Sequence, residues 1–186
     1  AADDVYGTRA DIFSPCALGA VINDDTLDML KVDIVAGSAN NQLAETRHGV
    51  ALHERGIVYA PDYVISAGGI CSVYGELEGW TAEQSMEKAG GIYGCLLQVL
   101  GHALAENIPT SQAADNLARQ HIAEARRLQA TASRIDSVVG QHGVAGGKTA
   151  LGLLGYEGTR PRAPTPAVAE DQRARIEAVL REAGLL

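Results

Sequence analysis

The chain has no excess of positive charge and no long apolar run. Its 186 residues include 15 Lys and Arg against 23 Asp and Glu, a formal net charge of -8, so it lacks the basic surface that binds phosphate backbones. No stretch approaches the roughly 18 apolar residues that cross a bilayer. The start, AADDVYGTRAD, has neither the basic region nor the apolar core of a secretion signal. We therefore expect no nucleic-acid partner, no membrane span and a cytoplasmic protein.

Cysteine and histidine are too few and too scattered to suggest a metal site. Cys16, Cys71 and Cys95 are far apart in apolar stretches, and no two of them form a C-x-x-C pair. The five histidines also lack a second ligand at the spacing that zinc requires. We predict free, buried thiols and no bound metal.

Apolar runs and helical stretches alternate through the first part of the chain. ADIFS, VDIVAGS and the start of IVYAPDYVISAGG are short runs rich in β-branched residues. CALGAVINDDTLDMLK is predicted as a turn and helix, NQLAETRHGVALHERG as a helix that stops at Gly56, and residues from about 70 to 105 as a long helix. This alternation is typical of parallel βαβ units. We predict an α/β fold: half of a doubly wound parallel sheet with about three strands, a partial Rossmann-like domain.

The remainder of the chain is predicted to be helical. TSQAADNLARQHIAEARRLQATASRIDSVVGQHG begins with capping residues and has helical spacing. A Pro-rich connector at 159–166 precedes an amphipathic terminal helix, AEDQRARIEAVLREAGLL. The character of the chain changes near residues 122 to 128. We therefore predict a first domain at 1–122 and a helical tail at 123–186.

Small and amide side chains follow the predicted strands. Ligands of an open parallel sheet bind beyond the carboxyl ends of its strands, and the tips here are Pro15-Cys16-Ala17, Ser38-Ala39-Asn40-Asn41 and Ser66-Ala67-Gly68-Gly69. An Asn amide both donates and accepts, which suits a carboxamide, a ribose hydroxyl or a carboxylate. The alternative is that Asn40 and Asn41 cap the following helix. One cap would leave the other amide unexplained, which slightly favours a ligand site.

Three blocks at these tips carry a family resemblance. DIFSPCALGAVIND, VAGSANNQLAETRHG and GIVYAPDYVISAGG resemble consecutive blocks of the glutamate/leucine/phenylalanine/valine dehydrogenase family, closest to its leucine and valine dehydrogenases. The resemblance runs from about residue 3 to about residue 122. It implies NAD-dependent oxidative deamination of a branched-chain amino acid, by hydride transfer from Cα to the nicotinamide.

The same resemblance implies a place for the cofactor. Cys16 and Ala17 would lie against the nicotinamide ribose, and Ala39 and Asn40 would line the nicotinamide end of the cleft. These residues would bind NAD through its nicotinamide half.

A substrate pocket is implied in the same way. Asn41 would approach the amino acid, and Ile70 and Val73 would line the pocket for its aliphatic side chain, in agreement with a leucine- or valine-sized substrate. Ser66 departs from the family, which usually has Asn at this place in VINAGG, and the departure affects the hydrogen bond made there.

Two parts of the family pattern are not found in this sequence. The fingerprint G-x-G-x-x-G and the acidic ribose-binding residue would fall upstream of residue 1, and the family's catalytic domain, with its lysines and aspartate, is absent. GVAGGKTALG at 143–152 does not follow a predicted strand, so it is predicted to be a helix-packing segment. We expect no catalytic residue in this chain and no activity from it in isolation.

The absent half of the sheet would leave an apolar edge without a partner. That edge belongs to ADIFS, at residues 10–14, on the side of the cofactor crevice. We predict that this strand pairs with a completing chain or with another copy in a homo-oligomer, or that the C-terminal segment covers it.

The tail, residues 123–186, resembles the C-terminal helices of the dihydrodipicolinate synthase/N-acetylneuraminate lyase family. The shared elements are a helix with glycine and lysine, an L-G-Y-x-G turn, an R-P-x-x-P connector and a final helix that ends in AGLL. Lys148 is not the Schiff-base lysine of that family, which lies on a barrel strand without a counterpart here.

Three functions stay open on these grounds. The chain is part of an amino-acid dehydrogenase, a non-enzymatic chimeric or assembly module, or a lyase related to the family that the tail resembles. Saturable binding of NADH would favour the first function. A tight oligomer without nucleotide binding would favour the second.

Overall fold

The computed structural model describes residues 5–157 and 160–186. The chain divides into two compact units, Ala1–Arg119 and Gln120–Leu186. Residue 159, the first residue of the predicted connector at 159–166, lies outside the described residues. Residue 3, near which the family resemblance begins, also lies outside them. Residues 160–166 contain neither helix nor strand. No helix in the described ranges is both long and apolar enough to cross a bilayer.

Three short parallel strands form the sheet of the first unit. They are β1 (Ile12–Phe13), β2 (Ile34–Val35) and β3 (Val58–Tyr59), in the order β1-β2-β3. Ile12 pairs with Ile34 and Ile34 with Val58, since β-branched side chains fit a pleated surface. The predicted partial Rossmann-like α/β fold with about three parallel strands is therefore confirmed.

The core of the first unit joins the sheet to the segments between its strands. Val35 and Tyr59 pack with Leu52 of α1 (Thr46–Glu54), and Ile22 is fully buried in the same cluster. The other buried members are Leu27, Leu30 and Ile57. Helix α1 also packs directly on β3. This core holds the strand ends in fixed positions.

The helix predicted within CALGAVINDDTLDMLK is wrong. The segment contains only a 3₁₀ turn at Leu27–Met29. The Asn23 side-chain oxygen accepts the backbone N–H groups of Asp25 (3.0 Å) and Thr26 (3.1 Å). These bonds close a local turn in competition with a helix, so the segment stays a compact loop.

The long helix predicted from about 70 to 105 is two helices, α3 (Gly68–Glu78) and α4 (Ala82–Glu106), preceded by the short α2 (Asp62–Ile65). Gly79, with φ +67°, ends α3. The Thr81 hydroxyl then accepts the N–H of Gln84 at 3.3 Å, and Gln84 Oε1 accepts the N–H of Thr81 at 2.8 Å. This capping box starts a new helix.

The second unit is helical. Helix α5 (Thr110–Val139) crosses the unit boundary in sequence and is followed by a 3₁₀ turn (Gly140–His142), α6 (Gly143–Leu153) and α7 (Glu170–Glu182). Ala150 of α6 is buried with Ile176 and Leu180 of α7. Residues 143–152 lie in α6, where a Cβ on Gly146 would come within 2.2 Å of the Val139 carbonyl oxygen. This stretch is thus a helix-packing segment, as expected.

Candidate functional site

The ends of β1 and β2 are joined by close backbone contacts. The Ala39 N–H donates to the Pro15 carbonyl at 2.9 Å. A Cβ on Gly37 would lie only 2.1 Å from that same carbonyl oxygen, so this approach requires glycine. Further along, the Ala20 N–H donates to the Asn41 carbonyl at 2.6 Å. The two segments predicted to hold the nicotinamide therefore form one continuous wall.

A buried glutamine supports this wall. Gln42 is fully buried, and its Nε2 donates to the carbonyls of Gly37 (2.6 Å) and Ala39 (2.9 Å). Its Oε1 has no hydrogen-bond partner among the residues that the structure describes. The two carbonyl contacts fix which end of the amide faces the wall. The sequence prediction missed this residue because it placed Gln42 in the first turn of a helix, whereas α1 begins only at Thr46.

The third strand end carries a carboxylate. Asp62, two residues beyond the buried Ala60, is 7% exposed. Its Oδ1 accepts the Tyr59 hydroxyl at 2.5 Å, and its Oδ2 accepts the Asn41 N–H at 2.7 Å. Burial and the hydrogen bond to Asp62 raise the pKa of Tyr59 well above its ordinary value. Asp62 thus ties the third strand end to the second.

The stretch Ser66-Ala67-Gly68-Gly69 was predicted as a strand tip, and this is wrong. Strand β3 ends at Tyr59, and Pro61 is the N-cap of α2, because proline ends a strand but is tolerated where a helix starts. Ser66 is the C-cap of α2. Its hydroxyl lies 3.5 Å from the Ser38 carbonyl oxygen, so the end of α2 still reaches the tip of β2.

Asn40 and Asn41 do not cap a helix, so the capping alternative is wrong. The N-cap of α1 is Glu45, whose N–H donates to His48 Nδ1 at 3.0 Å. Asn41 instead has φ +54°, the left-handed conformation that Asn tolerates better than most residues. Both asparagines are exposed. Their amides are therefore not used to start α1.

An open cleft of about 390 Å³ lies beside the strand ends. Its lining residues are Gly37, Ser38, Asn40, Ile65, Ser66, Gly68 and Ile92. Of the four residues predicted to contact the cofactor, Asn40 lines this cleft. Ala39, which precedes Asn40 in the chain, is buried. Small residues with one amide and two isoleucines suit a flat polar ring. A separate cavity of about 350 Å³ is lined by residues of α1, β3 and the end of α4.

Cys16 and Ala17 are exposed at the end of β1. The Cys16 Sγ lies 3.3 Å from the Ser14 hydroxyl. That hydrogen bond, followed by those with Ser38, lowers the pKa of the thiol to about 7. A thiol with this pKa is partly ionised near neutral pH.

The prediction that all three thiols are buried is wrong. All are free, but Cys16 and Cys95 are exposed and Cys71 is partly buried. The apolar stretches around them belong to a loop at a strand end and to the outer faces of α3 and α4. An apolar neighbourhood in sequence therefore does not bury these thiols.

Ile70 and Val73 lie on α3 and are 76% and 62% exposed. They are three residues apart, so they share one helix face. The structure does not place them in the lining of the cleft, where the isoleucines are Ile65 and Ile92. Their role in binding a substrate stays a prediction.

Comparison with known proteins gives a consistent result. Residues 1–130 match the family described as Glutamate/Leucine/Phenylalanine/Valine dehydrogenase. The chain is 54% identical to the leucine dehydrogenase of Bacillus subtilis (strain 168) over 125 residues, 67% of this chain and 34% of that protein. It is 46% identical to the phenylalanine dehydrogenase of Thermoactinomyces intermedius over 118 residues, 63% of this chain and 32% of that protein.

A solved structure agrees with these relatives. The crystal structure of L-tryptophan dehydrogenase from Nostoc punctiforme matches with a TM-score of 0.65 and 40% sequence identity, over 67% of this chain and 38% of that one. The chain spans about a third of the length of the curated relatives that it matches. The expected resemblance of residues 123–186 to the dihydrodipicolinate synthase/N-acetylneuraminate lyase family is not supported by these comparisons.

Proposed function

Because the chain belongs to the glutamate/leucine/phenylalanine/valine dehydrogenase family, we propose that it is part of an NAD-dependent amino-acid dehydrogenase. Residues 1–122 would be the second half of its dinucleotide-binding domain, and residues 123–186 a helical tail. The observation that carries the proposal is the continuous wall formed by the tips of β1 and β2, with the Asn40 amide on the adjoining cleft. A branched-chain amino acid is the substrate class that we propose.

The residues of the wall fit a nicotinamide. Gly37 and Ser38 line the cleft with little side-chain bulk, Ala39 lies buried next to them in the chain, and the Asn40 amide could bond the carboxamide of the ring. Cys16 and Ala17, exposed at the neighbouring tip, would contact the ribose. Bound NAD would supply the hydride acceptor. The residues of the wall would hold and orient the nicotinamide ring.

The substrate would approach from the other side of the same loop. Asn41 would bond the amino acid, and the exposed face of Ile70 and Val73 would contact its aliphatic side chain. The Asp62 carboxylate is already bonded to Tyr59 and Asn41, so we assign it no proton transfer. Proton transfer would require groups outside this sequence, and we propose no catalytic residue within it.

Titration of NADH into the purified chain tests this proposal. We expect saturable binding, measured by NADH fluorescence, that Asn40→Ala weakens by roughly three- to tenfold, the loss of one neutral hydrogen bond. Asn116→Ala, in α5, is the matched control and should leave the dissociation constant unchanged. A well-folded chain that binds no NADH would contradict the proposal. An equal loss of NADH affinity in Asn40→Ala and Asn116→Ala would show that the nicotinamide ring does not bind at Asn40.

A second candidate, assembly, is favoured by the outer edge of β1. This strand lies at one side of the sheet and Ile12 is 53% exposed. An apolar edge strand tends to pair with another strand. We propose that residues 10–14 pair with a completing chain or with a second copy of this one. Lyase activity is not proposed, because its only basis was the tail.

The mass of the chain in solution tests the pairing of copies. We expect light scattering to give a multiple of the chain mass, and Ile12→Lys to reduce it to the monomer, since a lysine on an edge strand opposes pairing. Val58→Lys is the control on the opposite edge strand, where the native side chain is 43% exposed, and it should leave the mass unchanged. A monomer before substitution would rule out the homo-oligomer.

A further inference from the structure

Asp62 is a buried carboxylate without a role in the function proposed above. A carboxylate withdrawn from water is stable only when hydrogen bonds replace the lost solvation. Each oxygen has one donor, the Tyr59 hydroxyl at 2.5 Å and the Asn41 N–H at 2.7 Å. The Asp62 N–H donates back to the Tyr59 oxygen at 3.2 Å. The side chain is therefore held in one orientation.

The partner of Asp62 in the loop is backbone, and it is the residue with the unusual conformation. Asn41 has φ +54°, which residues other than glycine rarely adopt without support. Its N–H is held by Asp62, and its carbonyl accepts the Ala20 N–H at 2.6 Å. The backbone N–H and C=O of Asn41, which belong to the two peptide units on either side of its Cα, are thus both hydrogen-bonded, while the side chain remains exposed.

The anchor itself is rigid. Tyr59 is 2% exposed and lies in β3, which pairs with β2. The Tyr59 carbonyl also accepts the Thr110 hydroxyl at 2.5 Å, at the start of α5. Asp62 is therefore linked through Tyr59 to the sheet and to the start of α5. Asp62 is not among the residues that line the cleft, so it could act on a ligand only through the loop.

We infer that Asp62 is a positioning residue for the cofactor site. Its carboxylate, oriented by Tyr59, fixes the backbone of Asn41 and thereby sets the direction in which the neighbouring Asn40 amide faces the cleft. The inference rests on the proposed function, in which that cleft takes the nicotinamide ring.

Two substitutions of Asp62 distinguish the loss of its hydrogen bond to Asn41 from the loss of side-chain volume. Asp62→Ala leaves the Asn41 N–H without its acceptor, and we expect this amide to exchange with solvent about tenfold faster and NADH to bind about tenfold more weakly. Asp62→Asn should restore both properties, because its oxygen can accept the Asn41 N–H while its NH₂ donates to a rotated Tyr59 hydroxyl. Failure of Asp62→Asn to restore Asn41 protection would overturn the inference.

A matched control and a coupled variant sharpen the test. Tyr63→Phe, next in sequence, removes a hydroxyl that bonds Ser111 and Asp115 (both 3.1 Å), and it should change neither measurement. In an Asn40→Ala background, Asp62→Ala should add little further loss of NADH affinity, whereas fully additive losses would overturn the inference. If Asp62→Ala does not fold, Tyr59→Phe replaces it, with an expected smaller increase in the exchange rate at Asn41.

The two proposals can fail separately. If the unaltered chain binds no NADH, the proposed function is contradicted, and the inference is overturned as far as it concerns the cofactor. Exchange at Asn41 then decides the structural part alone: a faster rate in Asp62→Ala shows that Asp62 holds the loop, and an unchanged rate overturns that part as well. If NADH binds but Asp62→Ala leaves both affinity and exchange unchanged, the proposed function stands and Asp62 is not a positioning residue.

Discussion

Gly37→Ala is expected to destabilise the first unit by about 3 kcal/mol, at the upper end of overpacking losses, and to abolish NADH binding. A Cβ at this position would lie 2.1 Å from the carbonyl oxygen of Pro15, 2.5 Å from its nitrogen and 2.7 Å from its carbonyl carbon. All three are backbone atoms, so no side-chain rotation relieves the contact. The tips of β1 and β2 would have to separate, with loss of the bond from Ala39 to Pro15. Urea unfolding followed by circular dichroism measures the change.

The same substitution elsewhere provides the control. A Cβ on Gly69, in α3, would meet no atom within 4 Å. Gly69→Ala should therefore be neutral or stabilising by up to about 1 kcal/mol, because alanine has the higher helix propensity. Similar losses at the two positions would show that the contact with Pro15 is not what Gly37 preserves.

The sheet could be predicted from the sequence because each strand is indicated by the composition of its own short run of residues. Runs rich in Ile and Val that end in small residues predicted all three strands, and the tips of β1 and β2 meet beside the cleft, at the expected edge of a parallel sheet. The third tip was misplaced because the apolar letters continue past Pro61. There Tyr63, Val64 and Ile65 extend the run in sequence but form α2 in the structure, since periodicity over so few residues does not distinguish strand from helix.

The supports of the site could not be predicted from the sequence. Gln42 and Asp62 are polar residues within apolar or helical stretches, where exposure is the usual expectation. Their importance comes from partners distant in space, such as the Asn41 N–H for Asp62. The break between α3 and α4, in contrast, could be predicted from the sequence. Gly79 is typical of a helix end, and the T-x-x-Q pattern from Thr81 to Gln84 is typical of a helix start. These capping residues predict two helices in place of one.

Gln42→Glu is expected to destabilise the first unit by about 4 kcal/mol at pH 8, in the range found when a buried charge has no partner. The two side chains are nearly the same size, but an ionised carboxylate cannot donate to the carbonyls of Gly37 and Ala39 that Gln42 now bonds at 2.6 and 2.9 Å. It would instead bring negative oxygens against them in a fully buried site. Gln84→Glu is the control, since Gln84 is exposed and its Oε1 accepts a hydrogen bond that a carboxylate can also accept.

The pH dependence distinguishes a buried charge from a simple packing defect. Burial and the two facing carbonyls should raise the pKa of the introduced carboxyl above its unfolded value of about 4.3. The protonated form, which can donate to one carbonyl, is then the stable form in the fold, so stability is greatest below the unfolded pKa and is lost as pH rises through the folded one. The difference in unfolding free energy between variant and unaltered chain should therefore be smaller at pH 5 than at pH 8. A difference that does not vary with pH would mean that the carboxylate reaches solvent, and that Gln42 does not hold the wall from a closed interior.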